Sequence, residues 1–66
     1  MLKVGDVKMI YNKNFGGEVI EEGLATLIAR IDPGYFINPE RWAVRFHSDI
    51  KKDGPNAETY ERFVRE

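Results

Sequence analysis

Residues 41–47, Arg-Trp-Ala-Val-Arg-Phe-His, place Trp42, Val44 and Phe46 on one side of an extended chain and Ala43, Arg45 and His47 on the other. A period of two is the pattern of a strand with one buried face, and it constrains this chain more than any other feature. The only Trp of the protein belongs to the apolar side, and the only His to the polar side. The strand therefore predicts a core of Trp42, Val44 and Phe46 and an outer face carrying Arg45 and His47.

The rest of the chain reads as further strands separated by turns. Residues 4–11, Val-Gly-Asp-Val-Lys-Met-Ile-Tyr, oppose Val7, Met9 and Tyr11 to Lys8 and Ile10, and the larger apolar set predicts the core side. Residues 12–17, Asn-Lys-Asn-Phe-Gly-Gly, are loop chemistry, because Asn and Gly tolerate left-handed backbone. Residues 24–31 have apolar groups on both faces, but Gly23 before them and Asp-Pro-Gly after them favour a short strand over a helix. Residues 32–40 form a turn-rich excursion with two prolines, and residues 49–56 read as a hydrophilic loop. The tail is divided. Glu58–Arg62 and Glu61–Arg65 would be favourable i,i+4 pairs on a helix, whereas Tyr60, Arg62 and Val64 alternate as a strand.

Sixty-six residues allow one domain over residues 1–66 and a small core. Without Cys there is neither a disulfide nor a Cys-based zinc site, so self-association is one route to added stability. Acidic and basic residues nearly balance at a net charge of −1, which argues against a dedicated nucleic-acid binder. No apolar run approaches the roughly 18 residues of a membrane span, and residues 1–6 lack a signal-peptide core. A soluble, cytoplasmic protein without membrane association is the expectation.

The strand layout, with Gly5-Asp6 before the first strand, "EEGLATLIARID", "WAVRF" and the closing "YERFV", resembles the SH3-like small barrels of the Tudor, KOW and plasmid- or phage-encoded kind. That resemblance implies an all-β, SH3-like barrel of about five strands, with the last strand following a one-turn helix. The alternative is an α+β fold, a three-stranded antiparallel sheet with a C-terminal helix over residues 56–65. Functional motifs of individual relatives do not carry over. Type II plasmid dihydrofolate reductase resembles this layout but uses a Val-Gln-Ile-Tyr strand, and this chain has no Gln. A Tudor-type aromatic cage would draw on Phe15, Tyr35, Phe36, Trp42 and Tyr60, most of which a small core requires.

Catalytic patterns are absent from the sequence. His47 and Ser48 are adjacent, so on a strand they point to opposite faces, and the carboxylate pairs sit in polar surroundings. No cofactor or metal is expected. The expected function is a small non-enzymatic binding module, an accessory protein of phage or plasmid type, acting through a protein partner or a second copy of itself. Its candidate binding residues are Tyr35, Phe36, Trp42 and Arg45, with Arg30, Lys8 and His47 as support. Tyr35 and Phe36 are chosen because aromatic residues in a loop on a rigid scaffold suit an interface. The alternative is a nucleic-acid-binding small barrel using a basic strand face of Lys8, Arg30, Arg45 and His47.

Overall fold

The computed structural model describes residues 1–31 and 39–66. Among them are four strands and one helix in the order β1 (Val7–Lys13), β2 (Val19–Arg30), β3 (Glu40–Phe46), α1 (His47–Asp53) and β4 (Tyr60–Val64). Each strand pairs antiparallel with the next, giving one open sheet in the order β1-β2-β3-β4. Five strands were expected; the described residues form four, and the sheet does not close. A sheet plus a helix is nearer to the α+β alternative, but that alternative misplaced the helix. Residues 60–64 are a strand, and the helix takes His47 and Ser48, expected at the end of the 41–48 strand, together with part of the presumed 49–56 loop.

The sheet curls because of β2. At twelve residues it is the longest strand, and both irregularities of the sheet add a residue to it. Ile10 pairs with Gly23 and Tyr11 with Glu21, leaving Glu22 extra; Leu27 pairs with Val44 and Ala29 with Ala43, leaving Ile28 extra. An extra residue bends its strand and increases the local twist. Gly23 takes φ +131°, a conformation other residues resist, so glycine is what the first bend requires.

The concave face holds the core: Ile10, Ala25, Leu27, Trp42, Val44, Phe46 and Val64, with Leu2 folding over from the N-terminal segment. The assignment of Trp42, Val44 and Phe46 to the core is correct. On β1 the expected face is inverted. Ile10 is 1% exposed, whereas Val7 is 50% and Tyr11 54% exposed. Ile10 sits opposite Gly23 at the bend, and with Ile10 inside the curl, alternation along β1 keeps Val7, Met9 and Tyr11 out of the core.

α1 ends where its sequence dictates. Gly54, at φ +81°, donates its N–H to the Ile50 carbonyl at 2.7 Å, while Lys51 and Lys52 lie in the last turn, where the helix dipole favours cations. Residues 54–57 then turn the chain, and β4 returns beside β3. No helix among the described residues is long and apolar enough to cross a membrane.

Candidate binding groove

The residues expected to bind are distributed by the structure over different environments. Trp42 is 1% exposed, and its indole N–H donates to Glu40 Oε1 at 3.3 Å. Arg30 stacks on it, with the guanidinium carbon 4.9 Å from the ring centre, Nε 2.9 Å from Glu40 Oε1 and Nη2 donating to the Leu2 carbonyl at 2.7 Å. Arg45 donates from Nε to the Ala57 carbonyl at 2.7 Å and so ties the turn before β4 to the sheet. His47 begins α1 with Nε2 2.9 Å from the Thr26 hydroxyl. Lys8 is half-exposed at the edge of β1. Tyr35 and Phe36 lie outside the described residues.

A single basic face of Lys8, Arg30, Arg45 and His47 is not what the register builds. The extra Ile28 carries Arg30 to the concave side opposite Trp42, while Thr26 pairs with Arg45 on the convex side. Lys8 pairs with Ala25, which shares the concave side with Phe46. Ile10, expected between these cations, is buried.

The four arginines that line the sheet interior or bridge strands are already engaged. Besides Arg30 and Arg45, Arg41 reaches Glu61 at 2.8 Å, and Arg62 forms a two-pronged contact with Glu22 at 2.8 and 3.1 Å. Arg62 also lies over the rings of Phe46 and Tyr60, at 5.7 and 5.5 Å, and its hydrogen bond to Glu22 holds its guanidinium above the ordinary value. Tyr60 donates to Glu58 at 3.2 Å, and that bond, with the carboxylate's charge, raises its phenol pKa. These contacts tie β2, β3 and β4 together across the mouth of the curled sheet.

What remains open is the seam between the two edge strands. Cα atoms of β1 and β4 come within 8 Å of each other, but no backbone hydrogen bond joins the two strands among the described residues. A groove of about 310 Å³ lies between them, lined by Lys8, Met9, Tyr11, Phe63, Val64 and the Arg65–Glu66 end. Tyr11 and Phe63, at 54% and 63% exposure, supply its aromatic surface. Lys8 and Arg65 have no ion-pair partner among the described residues. Glu66, by contrast, meets the N-terminal ammonium at 2.7 Å, which holds its carboxyl below the usual range.

The register also determines which backbone groups face the seam. Leu27 N–H donates to the Asp6 carbonyl and Asn14 N–H to the Glu18 carbonyl, the two ends of an alternating antiparallel ladder. Following that alternation along β1, Lys8, Ile10 and Asn12 direct their N–H and C=O to β2, whereas Val7, Met9, Tyr11 and Lys13 direct theirs outward. On the other side, Ile31 N–H donates to the Arg41 carbonyl, so Trp42 and Val44 turn towards β4. Tyr60, Arg62 and Val64 then pair with β3, and Glu61 and Phe63 present their backbone to the seam. Met9, Tyr11 and Phe63 thus combine an outward backbone with a side chain that lines the groove.

Met9, Tyr11, Phe63 and Arg65 were not among the expected site residues. The alternation of β1 was itself visible in the sequence, but with the apolar set assigned to the core the same residues could not also be assigned to a surface. Among the described residues, no group of three or more His, Asp or Glu gathers as a metal site. Comparison of the chain with protein-family models, with curated proteins and with solved structures finds no match to any of them.

Proposed function

We propose that this chain is a small, non-enzymatic binding module, an SH3-like barrel left open at one seam, that engages a protein partner at the groove between β1 and β4. One observation carries the reading: half-exposed Tyr11 and Phe63 flank a groove whose two walls are unpaired strand edges. Aromatic rings bring large contact area at low entropic cost, and unpaired edges offer backbone donors and acceptors that a protein segment can satisfy. The near-neutral net charge supports a protein over a polyanion.

A second reading rests on the same rings. Tyr11 and Phe63 with Lys8, Lys13 and Arg65 nearby would suit single-stranded nucleic acid, in which bases stack on aromatic faces and cations follow the phosphates. Amide-detected NMR separates the two. The chain is titrated with a pooled library of extended peptides and, separately, with an oligothymidylate. Shifts at Met9, Tyr11, Phe63 and Arg65 with peptides support the protein reading. Shifts confined to the oligonucleotide, and fading steeply with salt, replace it with the second. No shift at the groove with either probe rejects both.

A further inference from the structure

The groove is bounded by two edges, and they are not equivalent. β4 is five residues long, and its charges are satisfied within the fold, Glu61 by Arg41 and Arg62 by Glu22. β1 is seven residues long, Val-Lys-Met-Ile-Tyr-Asn-Lys, and contains no acidic residue. Its Lys8 and Lys13 have no ion-pair partner among the described residues. Its outward backbone belongs to Val7, Met9, Tyr11 and Lys13, so the free donors and acceptors alternate in step with an apolar row.

We infer that β1 is an acceptor edge for strand addition, taking an extended, acidic segment of a partner protein in antiparallel register. This rests on the protein-binding reading of the groove and specifies how that groove is used. Apolar residues of the added strand lie against Met9 and Tyr11, carboxylates lie opposite Lys8 and Lys13, and backbone hydrogen bonds form to Val7, Met9 and Tyr11. Charge selects this occupant over a second copy of the chain. Two β1 edges paired with each other would gather four lysines and no carboxylate, an arrangement that edge lysines are known to discourage. An acidic strand neutralises the same lysines. Neighbouring strands lie about 4.8 Å apart, so a strand held between β1 and β4 needs about 9.6 Å, and the seam must widen where the edges come within 8 Å. Phe63, on the opposite wall, therefore moves when the strand enters.

The test uses a capped peptide, Glu-Thr-Val-Thr-Val-Glu-Val, which sets its two central Val against Tyr11 and Met9 and its Glu against Lys13 and Lys8. Hydrogen exchange in the full chain is followed residue by residue. Without peptide, Lys8 and Ile10 amides exchange slowly and those of Val7, Met9 and Tyr11 quickly. With peptide, Val7, Met9 and Tyr11 slow by about tenfold or more, as amides do on joining a ladder. The double variant Lys8→Glu with Lys13→Glu weakens binding about three- to tenfold, a magnitude typical of two exposed ion pairs, and comes to prefer the peptide with Lys in place of Glu. Methylating the backbone nitrogens of the two central Val abolishes binding.

If the methylated peptide binds as well as the parent, or if protection appears at Glu61 and Phe63 instead, strand addition to β1 is wrong although the groove still binds peptide. Equal affinity for the Glu and Lys peptides overturns the acidic preference. Should neither this peptide nor the pooled library shift the groove, the underlying protein-binding reading fails as well.

Discussion

Truncating Ile10 tests the face assignment of β1 on which the groove depends. Ile10→Ala removes three carbons from a side chain that is 1% exposed and sits among Leu2, Trp42, Val64 and the other core residues. At about 0.8 kcal/mol per buried methylene the transfer loss is about 2.4 kcal/mol, and the cavity left behind raises the cost to about 3–4 kcal/mol. Val7→Ala removes two carbons from a residue that is half-exposed, so about 0.8 kcal/mol is expected by the same reckoning. A 66-residue domain has roughly 3–10 kcal/mol in total, so Ile10→Ala brings it close to unfolding. The midpoint of thermal unfolding falls by about 12–30 °C, at 4–8 °C per kcal/mol for a domain of this size. Urea unfolding followed by the fluorescence of Trp42, the only Trp and fully buried, reads both variants. If Val7→Ala costs as much as Ile10→Ala or more, the buried face of β1 is the Val7-Met9-Tyr11 face. The groove as described would then not exist.

Other expectations follow from single contacts. Gly23→Ala places a side chain at φ +131° where a Cβ meets nothing within 4 Å, so the cost is purely conformational, about 1–3 kcal/mol in urea unfolding. A double-mutant cycle on Arg62→Met and Glu22→Gln should give a coupling near 1 kcal/mol, as the pair is two-pronged but partly exposed, and 1 M salt should reduce it. A coupling near zero beside a large single cost for Arg62→Met would mean that Arg62 acts through stacking over Phe46 and Tyr60 rather than through Glu22. The Tyr60 phenol should titrate above its ordinary value in ultraviolet absorbance, and Glu58→Gln should bring it back down. Because its folded pKa is raised, Tyr60 favours the fold at pH below the ordinary phenol value and loses that contribution as pH rises through the shifted one.

Much of the architecture was legible in local patterns. The alternation of Trp42, Val44 and Phe46 identified β3 and its buried face, since a strand's side chains must alternate and the polar set could not be buried unpaired. Gly23, read as the boundary before a strand over residues 24–31, lies inside β2 at its bend, where glycine adopts the backbone conformation without strain. The closing strand over Tyr60, Arg62 and Val64 followed from the layout of the whole chain and not from local pattern, which leaned to helix; pairing with β3 outweighs charge pairs worth a few tenths of a kcal/mol each. α1 had its stop signal written in Lys51-Lys52-Asp53-Gly54-Pro55, but Ile50 is its one apolar residue and none of its residues is buried, so no apolar period announced it.

The binding groove was much less legible, and β1 explains why. Val7, Met9 and Tyr11 on one side and Ile10 on the other make both faces apolar enough to bury, so the local pattern determined a strand but not its orientation. That choice belongs to the tertiary structure. The extra Glu22 and the positive φ of Gly23 bend β2 around Ile10, and with Ile10 inside the curl, alternation turns Tyr11 outward. The extra Ile28 decides in the same way that Arg30 stacks on Trp42 rather than joining Arg45. By itself the sequence determined where strands run and which residues of β3 are buried, because those follow from side-chain period and backbone preference. Which face of β1 meets solvent, and that its edge is left unpaired beside β4, depend on bulges and curl that exist only once distant strands pair.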